Sequence, residues 1–272
     1  MIATAFSEII VPLDLVAPCD TVLQLSSALA RRAGVGIRLV TVSSPGLDHA
    51  YDEAELHAHA SKIEAVKVAS EIIESNDVVP ALLETAGQYG LLAIETRARG
   101  SLAAIVLGST TNALLRAAVR PVLLAGPATD ASVEPEHMQV CLDSPDAAAI
   151  LVPVSCAWAR QVGLRLRFVH AHIDGRTSER AGDELVESAA RRAADEFGIK
   201  AEYDVVSGRT VAEAIVDDAA RSAAGIVAVG MRPRPTALRL ALGSEAIAVA
   251  HVTRTAVLAV PIAAGGEARG DT

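Results

Sequence analysis

Short apolar runs alternate with longer amphipathic stretches along the whole of this chain. The first run, EIIVPLD (8–14), is apolar at consecutive positions, the pattern of a strand buried on both faces. In the next stretch, TVLQLSSALARRAG (21–34), Val22, Leu25, Leu29 and Ala33 fall at helical spacing and Gly34 marks a stop. IRLVTV (37–42) predicts a second strand, and DHAYDEAELHAHAS (48–61) predicts a helix with a polar face. AVKVASEII (65–73) reads as a third strand. Asp77 is placed to cap a helix over 77–89, with Pro80 tolerated in its first turn. LLAIE (91–95) is a fourth strand, and Gly108-Ser109 opens a helix through Ala118. RPVLLAG (120–126) closes the series as a fifth strand.

The same order then returns. Strands are expected at 139–143, 164–170, 201–206, 225–229 and 256–260, and helices at 148–162, 178–197, 210–222 and after Ser244. Strand alternating with helix implies a parallel sheet covered on both faces. The two copies also match at landmark positions. Gly108-Ser109 and Gly243-Ser244 lie 135 residues apart, as do LLAIE (91–95) and IVAVG (226–230). Asp14 and Asp143, which end the opening strands, lie 129 residues apart, so the second copy carries six extra residues between those points. An internal repeat sets the domain count before any single motif does. Each copy, at roughly 130 residues, is long enough to bury its own core. The expected boundaries are 1–127 and 137–264, with a linker at 128–136 rich in Pro, acid and small residues and a frayed tail at 265–272.

Composition narrows the function classes. Of the 272 residues, 51% are hydrophobic and only 3% aromatic, which suits small aliphatic side chains packed between helices and a sheet. A net charge of −9 and the lack of a basic run argue against nucleic acid as a partner. No signal-peptide pattern opens the chain and no apolar stretch approaches the ~18–20 residues of a membrane span, so a cytoplasmic, membrane-free protein is expected. Cys19, Cys141 and Cys156 have no metal-ligand spacing. His49, His57 and His59 fall on the polar helix, and His170 and His172 leave a strand with no further ligand at usable spacing, so no metal is expected.

The residues that end the strands carry a resemblance. In each half an opening strand ends in Asp (VPLD, VCLD). Further on, a strand enters an Arg-rich turn (AIETRARG, AVGMRPRP). Gly-Ser then opens a helix that runs into a closing Val-Leu strand (RPVLLA, TAVLAV). Taken twice over in this order, the chain resembles a tandem universal stress protein. The resemblance implies two doubly wound five-stranded parallel-sheet domains of the adenine nucleotide alpha hydrolase-like kind. It also implies that the closing strands of the two halves pair as a pseudo-dimer within one chain, with further homodimerisation open. Members that bind ATP carry Gly, two residues, Gly, nine residues, then Gly with Ser or Thr. Backbone N–H groups there meet phosphate, and the Asp of the first strand contacts adenosine.

On that resemblance the candidate nucleotide-contacting residues are Asp14, Val42, Gly108 and Ser109 in the first half. In the second they are Asp143, Gly230, Arg232, Gly243 and Ser244. Both motifs depart from the pattern. The first half reads Glu95, Thr96, Arg97, Ala98, then Gly108-Ser109, so an acid stands where a Gly is expected. An ionised Glu repels a polyanion unless Arg97 or Arg99 neutralises it. The second half reads Gly230, Met231, Arg232, Pro233, then Gly243-Ser244, and Pro233 removes a donor N–H. Glu245 follows in the first helical turn and competes with phosphate for the same N–H groups. The second half, with Arg232 and Arg234 able to reach an anion, is the better candidate. AMP or a small anion is a better ligand for it than ATP.

Three functions stay open at this point. One is a ligand-binding or signalling module with weak or absent nucleotide binding, and another is an ATP-binding or ATP-hydrolysing enzyme. The third is a structural tandem with vestigial pockets. Ser109 and Ser244 have no acid or His placed beside them, so no catalytic residue is expected.

Overall fold

A computed structural model describes residues 6–96, 109–173, 179–232 and 244–262. The first half runs β1 (Glu8–Pro12), α1 (Asp20–Ala33), β2 (Gly36–Ser43), α2 (Ala50–Ser61), β3 (Val68–Glu74), α3 (Val78–Ala86), β4 (Gly90–Glu95), α4 (Ser109–Ala117) and β5 (Val122–Ala125). The second runs β6 (His137–Cys141), α5 (Pro145–Val162), β7 (Arg165–Ile173), α6 (Glu179–Phe197), β8 (Ala201–Gly208), α7 (Val211–Arg221), β9 (Ile226–Met231), α8 (Ser244–Val252) and β10 (Ala256–Pro261).

The ten strands make one sheet in the order β3-β2-β1-β4-β5-β10-β9-β6-β7-β8. Every pairing within a half is parallel. Among the described residues the single antiparallel pairing joins the halves, with Leu124 opposite Val257 and Leu123 opposite Leu258. Two unpaired apolar edges are removed in this way.

Strand residues alternate between two apolar layers, as the two-residue period of a strand demands. Ile9, Val11, Leu91, Ala93 and Leu123 pack under α1, α2, α5 and α6. Ile10, Leu92, Ile94, Val122 and Leu124 pack under α3, α4, α7 and α8. Both layers run through both halves, so the helices cover the two faces of one continuous sheet.

Local chemistry explains the boundaries. Gly34 ends α1 at φ 68°, and its N–H donates to the Ala30 carbonyl. The expected third strand starts later than 65, because Ala65 turns the chain at φ 59° before β3 begins at Val68. α3 stops short of 89, since Gly87 takes φ 51° after Ala86. Asp77 stands at its N-cap but makes no side-chain capping bond there. α5 starts earlier than 148, because Ser144 caps it by accepting from the Ala147 N–H and Pro145 takes the first helical position. Among the described residues no helix is long and apolar enough to cross a membrane.

Candidate functional site

Parallel strands leave their carboxyl ends on one edge of the sheet, and loops from those ends enclose the candidate site. In the first half they bound a cavity of about 490 Å³. Its floor is the end of β1 and β2 (Leu13, Val40, Thr41, Val42) and of β4 (Ile94, Glu95). Its walls are the starts of four helices: Cys19 and Val22 from α1, Tyr51 and Asp52 from α2, Val78 and Leu82 from α3, and Ser109, Thr110 and Thr111 from α4. Asp14 lies on the loop after β1, where its carboxylate accepts from the Val16 N–H at 3.4 Å. The Thr41 hydroxyl donates to the Leu13 carbonyl at 3.1 Å and ties the β1 loop to β2.

Glu95 has a structural task. The N-cap of α1 is Cys19, whose side chain makes no capping bond. The Glu95 carboxylate instead accepts from the Val22 N–H at 3.3 Å, in the first turn of α1. A carboxylate from another strand thus takes up a helix N-terminal donor, where a negative charge is favoured. The same donor is then unavailable to a phosphate oxygen.

In the second half Arg232 turns onto Asp143. Its guanidinium donates to both carboxylate oxygens of Asp143 and, at 2.6 Å, to the Ser144 hydroxyl. Ser144 in turn donates to Asp143 at 2.9 Å. Burial opposes the Asp143 charge, but the hydrogen bonds from Arg232 and Ser144 outweigh it and hold the carboxyl below its usual range. The sequence suggested that Arg232 reaches out to an anion. In the fold it turns onto the carboxylate that would contact adenosine.

Gly230 is also packed against a neighbour. A Cβ there would run into the Ile262 side chain, so the missing side chain makes room for apolar packing beside β10. Among the other candidates, Val42 and Ser109 do line the first cavity with Asp14. Ser244 opens α8. Gly108, Gly243, Arg97, Ala98, Arg99, Pro233 and Arg234 lie outside the described residues.

Sequence reading missed Tyr51, Asp52, Thr41 and Cys19 as cavity residues. Position within a strand-end or helix-start segment is the available signal for them. His170 holds the Leu142 carbonyl at 2.8 Å, and burial lowers the His251 pKa. Among the described residues no group of three His, Cys, Asp or Glu is arranged to hold a metal.

Comparison with known proteins follows this geometry. The model of the Universal stress protein family matches residues 5–126 and again 138–261. A universal stress protein of Mycobacterium bovis is 29% identical over 209 residues, covering 71% of this chain and 68% of that protein. One from Mycobacterium tuberculosis matches to the same extent. Among solved structures, a universal stress protein from Archaeoglobus fulgidus superposes with a TM-score of 0.69 at 20% identity, covering 94% of this chain and 98% of that one. A Pseudomonas aeruginosa structure described as a putative universal stress protein reaches 0.64 at 16% identity, covering 95% and 94%. With the family pattern matched in both halves and the fold shared end to end, this chain belongs to the universal stress protein family and carries two of its domains in tandem.

Proposed function

We propose that this tandem protein is a ligand-binding module with one working site, the first-half cleft, and that the second half serves chiefly as its structural partner. The asymmetry at the strand ends supports this. One half has a cavity of about 490 Å³ beside Asp14, and the other has Asp143 bound by Arg232. The cavity volume lies in the range of small-molecule sites. Its lining fits a nucleoside: apolar Val40, Val42 and Leu82 suit a flat base, while Asp14 and Thr41 offer polar contacts. The fit to a triphosphate is poor, because Glu95, on the cavity floor, already takes the Val22 N–H that would meet a phosphate oxygen. Adenosine or AMP is therefore the ligand class, and ATP binds weakly or not at all. The location that accords with the composition is cytoplasmic.

Calorimetric titration of adenosine, AMP and ATP into the full chain tests this reading. Binding should weaken from AMP to ATP. Glu95→Ala frees the Val22 N–H for a phosphate oxygen, so ATP should gain about tenfold, the equivalent of ~1–2 kcal/mol for one hydrogen bond to a charged group. Sub-micromolar ATP binding by the unaltered protein would overturn the reading.

A further inference from the structure

Cys19, in the wall of the first-half cleft, lies beside a histidine that the nucleotide reading does not use. Cys19 lines the cavity at the residue before α1 and is 5% exposed. Its sulfur lies 3.5 Å from Nδ1 and 3.8 Å from Nε2 of His59, in the last turn of α2. The sulfur thus lies close to both ring nitrogens. The two residues are 40 positions apart, so the fold brings them together, not local sequence.

A thiol is a weak nucleophile until a base takes its proton, and an adjacent imidazole is suited to do so. The start of a helix also favours negative charge on the sulfur. Asp20 is the next residue, and Asp14, Asp52 and Glu95 line the same cleft; their carboxylates act against that charge, so the imidazole must carry the proton. The other two cysteines lack such a setting. Burial pushes the Cys141 thiol up to about 12 and the Cys156 thiol up to about 11.

We propose that Cys19 and His59 form a nucleophilic pair at which a small hydroperoxide, with hydrogen peroxide the simplest, oxidises Cys19 to a sulfenic acid. The imidazole accepts the thiol proton, and the sulfur attacks one peroxide oxygen. The O–O bond breaks and its electron pair passes to the departing oxygen. That oxygen takes the proton back from the imidazolium and leaves as water. Sulfur is oxidised, the peroxide is reduced, and the imidazole returns to its neutral state. This site stands apart from the nucleotide reading, because it needs only the thiol, the imidazole and access through the cleft.

The test uses the folded full chain at pH 7 with hydrogen peroxide, dimedone to trap sulfenic acid, and peptide mass spectrometry. Cys19 should be labelled at least about tenfold faster than Cys141 or Cys156, and His59→Gln should slow it about tenfold. His57→Gln, on an exposed position of the same helix, should leave the rate unchanged. Equal labelling of the three cysteines, or an unaltered rate in His59→Gln, overturns the proposal. Should His59→Gln fail to fold, the unaltered protein still decides: Cys19 must react faster than free glutathione under the same conditions, and an equal or slower rate overturns it.

Discussion

Arg232 and Asp143 show how one ion pair can redirect a strand-end site. The arginine follows β9, the aspartate follows β6, and the parallel pairing of those strands sets them side by side. Both side chains keep substantial solvent contact, so the pair contributes little to stability. Its effect is on chemistry: the carboxylate is already engaged. Because the Asp143 pKa is lowered in the fold, its contribution to stability is present above the ordinary value of 3.8 and fades as pH falls through the depressed value. Removing the guanidinium in Arg232→Ala leaves burial, which raises the carboxyl pKa, opposed by Ser144 and the backbone N–H of Asp143. Its titration, followed by carboxyl NMR, should move upward toward or past 3.8. An unchanged titration would show that Arg232 does not hold Asp143 in solution. The repeat placed Asp143, Gly230 and Arg232 at one strand edge from sequence alone. It could not tell whether Arg232 points outward or onto Asp143, since that depends on a rotamer choice set by Ser144. Nor did the pattern show that Gly230 leaves room for Ile262, a residue beyond the closing strand.

Elements were legible wherever a backbone signal stood in the sequence. Gly34 ended α1 as read, and the apolar runs marked all ten strands. Errors arose where the punctuation was less conspicuous. Ala65 adopts a left-handed turn that alanine rarely takes, and Ser144-Pro145 begins α5 three residues before its apolar pattern becomes continuous. Gly126, just after β5, shows the cost of close approach between elements. A Cβ at this position would overlap the Ala250 carbonyl oxygen in α8 and sit 3.0 Å from its carbonyl carbon. Backbone cannot swing aside as a side-chain tip can. Gly126→Ala should therefore destabilise the protein by about 1–3 kcal/mol, as overpacking does, through displacement of the last turn of α8. Thermal or denaturant unfolding checks this, and an unaltered midpoint would contradict the close packing.

At the scale of the molecule, the halves share more than the β5–β10 pairing. Phe6 packs against Trp158 with ring centroids 5.0 Å apart. Gln161 exchanges two hydrogen bonds with the Phe6 backbone, at 3.2 and 2.7 Å. Arg32 donates to the Val162 and Gly163 carbonyls at 3.1 Å, satisfying the C-terminal end of α5. One sheet with two shared apolar layers should unfold as a unit. Trp158→Ala, at a side chain 1% exposed, should cost about 3–5 kcal/mol while the transition stays single. Two separate transitions would contradict the continuous core. The repeat made this architecture readable, because two copies with apolar closing strands have one economical way to cover both edges. It could not reveal the side-chain contacts by which the copies differ at the strand ends, such as Arg232–Asp143 and Glu95–Val22, because these pairs are far apart in sequence.

That difference between halves is the central claim, and calorimetric titration of AMP into matched aspartate variants tests it most directly. Asp14 borders the open cleft, and Asp143 is its counterpart under Arg232. The unaltered chain should bind one AMP. Asp143→Asn should retain that heat, and Asp14→Asn should lose most of it, with affinity falling about tenfold or more for a lost charged hydrogen bond. Binding that survives Asp14→Asn and disappears in Asp143→Asn, or two equivalent sites in the unaltered chain, would contradict the account.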